Sequence, residues 1–380
     1  MARSRKKLSD QPFELDISSL DSRGMGLAQF KEKKLQVYDA LPGEKVVVRH
    51  LFGRSQRGKV ETLEVLQASV DRVEPRCPHF GYCGGCSHQH MSMDAQLARK
   101  QALLLHTLQE TGQIEPASVY TPLSGQVWNY RRKARLSVRD VAAKHRVLVG
   151  FRERNGRYVA DMNECHILHP EIAQALPKLS ILIGTLQCRR TIPQIEVACG
   201  DATCALIIRH LEELSASDID KLRSFARDTG LGIFLQAGGP DSIYLLEPED
   251  LQLEYAHETF ALRFQFEPLD FTQVNGELNQ QMVKRAFELL DPQHEDRILD
   301  LFCGLGNFTL PLATRAGHVM GLEGSEDMVK RGRSNARLNG LENVEFNHAD
   351  LYEAGTESPW PVADYNKILL DPPRSGALSL

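Results

Sequence analysis

The stretch Ile298-Leu-Asp-Leu-Phe-Cys-Gly-Leu-Gly-Asn-Phe308 constrains this chain more than any other. Its apolar first half reads as a buried strand, Gly304 and Gly306 as a turn, and the apolar pattern beyond as the start of a helix. A strand that stops at Gly-x-Gly lets the backbone approach a ligand closely, because neither glycine carries a Cβ. The ligand would lie across the carboxyl end of the strand.

The residues that follow narrow the ligand. A strand over His318 to Leu322 ends at Glu323, whose carboxylate could accept hydrogen bonds from both hydroxyls of a ribose. A third strand, Asn343 to Asn347, ends near Asp350, which could take an adenine amine, and a fourth, Lys367 to Leu370, ends at Asp371-Pro-Pro-Arg374. Four strands that each bring a polar group to one edge make a nucleoside site. A dinucleotide site needs a third glycine, so that a pyrophosphate can rest on the helix amino end, and Thr309 holds that position. Ahead of this run, Phe271-Thr-Gln-Val-Asn275 leads into a helix with Leu278, Met282, Val283, Ala286 and Leu290 on its apolar face.

A chain of 380 residues holds two or three domains, and no window approaches the run of about 20 apolar residues that spans a membrane. The basic amino end, Met1 to Asp10, lacks the apolar region of a secretory signal, so the expected compartment is the cytoplasm. In that reducing setting eight cysteines argue for metal or chemistry before disulfides. The net charge of −5 conceals an asymmetry: residues 1 to 76 carry +4 and the remainder −9. Within the remainder, Trp128 to Arg157 has ten basic residues against Asp140 and Glu153. Two basic patches on an acidic chain point to a polyanion surface, the alternative being two solvated faces.

The first segment alternates at period two over Phe13 to Ile17, Leu35 to Tyr38, Lys45 to Arg49 and Lys59 to Leu66, with a basic loop over Arg54 to Gly58. Spacing this regular predicts a small β-barrel. Gly24-Met-Gly, Ala40-Leu-Pro-Gly-Glu44 and Ser69-Val-Asp-Arg-Val-Glu-Pro-Arg-Cys77 resemble a TRAM domain, an OB-like RNA-binding barrel attached to RNA-modifying enzymes.

Cys77, Cys83 and Cys86 follow as C-x5-C-x2-C, with three glycines that let the backbone fold round a tight site. Cys165, in the polar turn Asn163-Glu-Cys-His166, is the best fourth ligand, while Cys188, Cys199 and Cys204 lie in or beside apolar strand-like runs and read as core. Spacing leaves an iron–sulfur cluster and zinc both open, because His79, His88 and His90 are adjacent. Asp94 to Glu110 reads as a helix capped by Asp94, with Leu97, Leu104, Leu105 and Leu108 on a packing face. Val127 to Leu136 interleaves Trp128 and Tyr130 with Arg131, Arg132, Lys133 and Arg135 on an expected strand, a composition suited to phosphates and unstacked bases. From Gly150 to Phe266, strands at 194–198, 204–209, 232–236 and 242–246 and a helix at 217–228 suggest an α/β domain.

A TRAM-like barrel followed by C-x5-C-x2-C, N-Y-R-x-K, D-L-F-C-G-L-G-N-F and D-P-P-R resembles the cluster-bearing RNA uracil-5-methyltransferases. The resemblance implies a multidomain chain: a TRAM barrel (8–68), a central α/β iron–sulfur and RNA-binding domain (69–265), and a class I Rossmann-like methyltransferase domain (266–380). Helix 94–110 would pack on the catalytic domain. It implies S-adenosylmethionine held by Gln273, Phe302, Asn307, Glu323, Asp350 and Asp371, and a [4Fe-4S] cluster held by Cys77, Cys83, Cys86 and Cys165. The expected partner is RNA, 23S ribosomal RNA ahead of transfer RNA, with no DNA, no membrane and a monomeric protein.

The resemblance also implies a cysteine thiolate adding to C6 of a flipped uracil, methyl transfer to C5, and loss of the C5 proton to a base. In that family the nucleophile lies in an S-C-N-P stretch beyond the strand that follows D-P-P-R, and the sequence ends at Leu380 without one. Cys303 belongs to the cofactor loop and is not expected to serve. The sequence therefore reads as a truncated methyltransferase, its domain incomplete and no catalytic residue in this chain, unable to finish methyl transfer as written. The rival class is a non-catalytic RNA-binding remnant.

Overall fold

The period-two patterns of the first segment and the β-turn-α pattern of the last third both become regular structure in the computed structural model. It describes residues 11–51, 56–352 and 364–378. The basic amino end and Arg54 of the basic loop lie outside them. The chain separates into two compact units, Met1–Ser124 with Leu148–His166, and Gly125–Val147 with Ile167–Leu380.

In the first unit six strands, β1 (Phe13–Asp16), β2 (Ser19–Leu20), β3 (Gly26–Phe30), β4 (Lys33–Tyr38), β5 (Lys45–His50) and β6 (Lys59–Gln67), form one sheet in the order β1-β5-β6-β4-β3-β2. Alternate residues, Leu15, Ala28, Leu35, Val37, Val46, Val48 and Val60, turn inward to a single core. Glu44, 1% exposed, anchors the turn before β5. It accepts from Leu41 N at 2.7 Å, Ser69 N at 3.2 Å, and Arg72 Nε and Nη2 at 2.5 and 2.8 Å. Burial alone would raise this carboxyl, but Arg72 and the two amides outweigh it and hold it below the usual range. The A-L-P-G-E and S-V-D-R motifs are thus two halves of one buried ion pair.

Helix α1 (Met93–Thr107) differs from its sequence reading. Ser92, whose hydroxyl accepts from Ala95 N, is the cap rather than Asp94, which falls in the first turn, and a π-helical turn over Leu108–Gly112 replaces the expected last turn. No residue of α1 is fully buried; the leucine face it shares with that turn, Leu97, Leu104, Leu105 and Leu108, lines an apolar cleft together with Pro116, Val119 and Leu123.

The second unit contains β7 (Lys133–Val141), β8 (Arg146–Gly150, through which the division passes), α2 (Pro170–Thr185), β9 (Gln194–Cys199), β10 (Cys204–Arg209), α3 (Ala216–Thr229), β11 (Gly232–Gln236) and β12 (Ile243–Glu247). Their sheet runs β12-β11-β10-β9-β7-β8. β7 begins at Lys133 rather than Val127, because Asn129 takes φ of 56° and breaks the extended run. The hairpin of β13 (Leu253–His257) and β14 (Leu262–Phe266) puts Phe264 and Phe266 into one core with Ile207 and Phe234 on one side and Leu305, Leu310, Val329 and Phe346 on the other.

The last part contains α4 (Gly276–Leu290), β15 (Arg297–Leu301), α5 (Thr309–Ala313), β16 (His318–Glu323), α6 (Glu326–Leu338), β17 (Val344–His348) and β18 (Lys367–Leu370). Its four strands are parallel in the order β17-β16-β15-β18, so β15 is central and the order reverses between β15 and β18. Among the described residues β18 is an edge strand, with Ile368 and Leu370 exposed. Val283 of α4 is buried, and Met282, Ala286 and Leu290 pack beside it, as the apolar periodicity requires. No helix among the described residues is long and apolar enough to cross a membrane.

Candidate cofactor crevice and cysteine site

In open α/β sheets a reversal of order such as the one beside β15 opens a crevice at the carboxyl ends of the strands, where ligands bind. Phe302, Gly304 and Gly306, with φ of 64°, 57° and 101°, turn the chain from β15 toward α5. At Gly306 a Cβ would stand 3.0 Å from both Leu310 and Phe346, so a side chain there would be strained. Glu323, at the end of β16, accepts from Gly304 N and Ser325 N at 3.0 Å each. A carboxylate has about four lone-pair sites, which leaves capacity for a diol.

Asn307 and Asn279 exchange side-chain hydrogen bonds at 2.8 and 2.9 Å, and Asn307 Oδ1 also accepts from Tyr255 at 3.1 Å. Asn279 and Tyr255 line a narrow cleft of about 20 Å³ together with Gln273, Thr272 and Arg132, so Gln273 and Asn307 belong to one neighbourhood. On the other side the Phe302 ring lies 5.8 Å from Tyr352. Tyr352 N donates to Asp350 Oδ1 at 2.9 Å, and its hydroxyl meets Ser375 at 2.7 Å. Burial raises the Asp371 carboxyl.

Four residues escaped sequence reading. Asn279 lies one turn before Met282 and Val283 on the buried face of α4, and a polar residue there was the available signal. Asp300, in the apolar run of β15, was another. Nothing marked Tyr255 or Tyr352 beyond their being aromatic.

Cysteine chemistry divides between the units. Cys199 and Cys204 are buried, yet they are joined in a disulfide rather than free. They stand directly opposite across β9 and β10, which brings two facing side chains together on one face of an antiparallel pair. With His169 they form the one compact group of three donors among the described residues, within 4.8 Å, but bonded sulfurs are not ligands.

The loop holding Cys77, Cys83 and Cys86 is folded against 151–163 within the first unit. Gly84 N donates to Arg152 O at 2.8 Å, and a Cβ on Gly84 or Gly85 would stand 2.8 Å from Arg152 O or the Phe151 ring. His79 Nε2 pairs with Asn163 Oδ1 at 3.0 Å, two residues from Cys165. Gly85 N donates to Cys83 Sγ at 3.4 Å. Arg154 spans Asp39, at 2.5 and 2.6 Å, the Phe80 ring, at 4.9 Å, and Cys86 O, at 3.3 Å.

The basic stretch is largely committed to internal partners. Arg132 pairs with Asp201, Arg135 with Glu196 at 3.0 Å, and Arg154 with Asp39. Lys133 donates to Pro268 O, and burial brings its ammonium down to about 8 against the pull of Glu196 and Asp270. Beside this stretch a polar cavity of about 250 Å³ is lined by Gln126, Asn129, Tyr130, Arg132, His169 and Asn275.

The sheet order and the glycine turn define a methyltransferase fold in a multidomain chain. Residues 92–355 match the model of the tRNA (uracil-5-)-methyltransferase family, and the chain belongs to that family. It is 45% identical over its whole length to the 23S rRNA (uracil(1939)-C(5))-methyltransferase RlmD of Alkalilimnicola ehrlichii and spans 86% of that protein. Against the enzyme of the same description from Hahella chejuensis the identity is 46%, again over 86% of the relative. In fold it resembles the tRNA (uracil-54, C5)-methyltransferase of Pyrococcus abyssi, solved with S-adenosyl-L-homocysteine. The TM-score there is 0.70 at 19% identity, over 96% of this chain and 84% of that one.

Proposed function

We propose that this chain serves S-adenosylmethionine-dependent methylation of C5 of a uridine in 23S ribosomal RNA. The observation that carries the reading is the crevice beside β15, where Glu323 already fixes the Gly304 loop with lone pairs to spare for a ribose. Bound S-adenosylmethionine supplies the methyl group. The chain's own residues bind and orient: Glu323 accepts from the ribose, Phe302 and Asp350 flank the adenine side, and Gln273, Asn307 and Asp371 close the remainder. No described residue is assigned the attack on C6. Cys303 is 4% exposed, and burial, with Asp300 and Glu323 beside it, pushes its thiol well above the usual range.

The first unit fits a TRAM barrel and a [4Fe-4S] site. In a tetrahedral zinc site, sulfurs about 2.3 Å from the metal stand about 3.8 Å apart. Cys77, Cys83, Cys86 and Cys165 form no group that compact, although burial first, and then Cys86 and Cys77, raise the thiol of Cys83. Wider spacing, with an amide N–H on sulfur, suits a cubane. Acceptor RNA would meet the cavity beside Tyr130 and Arg132.

Filter binding at about 0.15 M salt, chosen because phosphate contacts are salt-dependent, tests the acceptor. Unmodified 23S ribosomal RNA fragments should bind at least about tenfold tighter than transfer RNA, the scale of a 1.4 kcal/mol preference. The reverse order would move the reading to a transfer RNA acceptor, and no RNA binding would overturn it.

A further inference from the structure

Three carboxyl groups, those of Asp300, Glu323 and Asp371, act on one another at the carboxyl ends of the parallel strands, and no salt bridge joins any of them to a cation among the described residues. Asp300, on the central strand, is 1% exposed. Its Oδ2 accepts from Thr309 Oγ1 at 2.6 Å, and its Oδ1 is buried with no hydrogen-bond partner. The charged groups acting on it are Asp371, from the end of β18, and Glu323, from the end of β16, with the Cys303 thiol alongside. No ammonium or guanidinium pairs with it among the described residues. Glu323 is met by two amides and Asp371 is exposed to water, so Asp300, buried with one hydroxyl as its partner, has least to stabilise its charge. Burial first, then Asp371 and Glu323, push its carboxyl up to about 7, against the hydrogen bond from Thr309.

We propose that Asp300 lets the crevice tell a sulfonium from a thioether, holding a proton while no cation is present and releasing it when a cationic cofactor enters. The inference rests on the cofactor reading above. The step balances simply: the neutral carboxyl loses its proton to solvent, the carboxylate remains, and the sulfonium supplies the compensating positive charge. Once the methyl group has left, the thioether product is neutral at sulfur, so Asp300 regains its proton and the crevice loses its preference for what it holds. Thr309, at the position where a dinucleotide site has glycine, is the hydroxyl that keeps Asp300 aligned in both states. Asp300 acts here as a positioning and charge-matching residue.

Calorimetric titration of the protein at pH 6.5, in buffers of different ionisation enthalpy, reads the proton count directly. The amino groups of both ligands, near about 7.7 to 8 or above, are protonated at that pH and contribute little. S-adenosylmethionine should release about 0.5 to 0.7 proton per site and bind about tenfold tighter at pH 7.5 than at pH 5.5. S-adenosylhomocysteine should release close to none and bind with little pH dependence. D300N should bind S-adenosylmethionine without proton release. Equal release with both ligands, or release that survives in D300N, overturns the proposal while leaving the cofactor reading intact. If D300N does not fold, the comparison of the two ligands on the wild-type protein decides. Failure of either ligand to bind overturns both.

Discussion

The cysteine loop of the first unit and the glycine loop of the second are both shaped by glycines, but they are held in opposite ways. Around Gly304 to Asn307 the inward polar groups are met by protein: Gly304 N by Glu323, and Asn307 by Asn279 and Tyr255. Around Cys77 to Cys86 the backbone is met by protein, through Cys83 N to His79 O and Gly84 N to Arg152 O, while the cysteines remain outside any disulfide. A loop satisfied by its own protein keeps its shape whether or not a ligand is bound. A loop that gathers sulfurs gains part of its shape from what they hold.

The sharpest way to break this contrast is to remove a sulfur. Cys83→Ser should abolish iron and acid-labile sulfide after anaerobic reconstitution, where the intact protein takes up about four of each, the content of one cubane. The same substitution should leave the second unit's binding of S-adenosylmethionine in place. Zinc without sulfide in the intact protein would contradict the account.

Next in size is the buried Glu44–Arg72 pair within the first unit. Glu44→Gln leaves the Arg72 guanidinium short of its partner and should cost about 3 to 5 kcal/mol in urea unfolding of that unit. Because the Glu44 carboxyl is held below its ordinary value, its contribution is full above the unfolded-state pKa and is lost as pH falls through the folded one. The wild-type advantage over Glu44→Gln should therefore shrink in acid below about pH 4.5. An advantage that does not change with pH would contradict this.

A smaller effect tests the other loop. Gly306→Ala places a Cβ 3.0 Å from Leu310 and Phe346 at a φ of 101°, which costs about 1 to 3 kcal/mol. It should lower the second unit's unfolding midpoint and leave the iron content of the first unchanged. An unchanged midpoint would mean that the turn relaxes freely.

Legibility in the sequence follows the same contrast. The strands of the first unit and the four parallel strands could be read because period-two alternation and strand-then-glycine patterns are local. Lys367 to Leu370 was legible to the residue. Helix α2 and the β13–β14 hairpin are not legible in the same way: Pro177 reads as a helix breaker although Ile172, Ala175, Leu176, Leu179, Leu182 and Ile183 keep a helical spacing, and the hairpin is defined by its place in the core. The extended reading of Val127 to Leu136 failed on one backbone angle at Asn129. Pairings such as Arg132 with Asp201 and Cys199 with Cys204 depend on strands meeting in space, which spacing along the chain does not carry. Of the crevice, sequence gave the strand ends, while Asn279 and Asp300 emerged only once the sheet showed what they face.

The central claim is that the crevice beside β15 is a built S-adenosylmethionine site keyed by Glu323. Titration calorimetry of the intact chain and of Glu323→Gln measures it directly. The account predicts one site per chain, weakened about tenfold or more in the variant, since a hydrogen bond to a charged group contributes about 1.5 to 3 kcal/mol. Absence of binding to the intact chain, or equal binding by the variant, would contradict it.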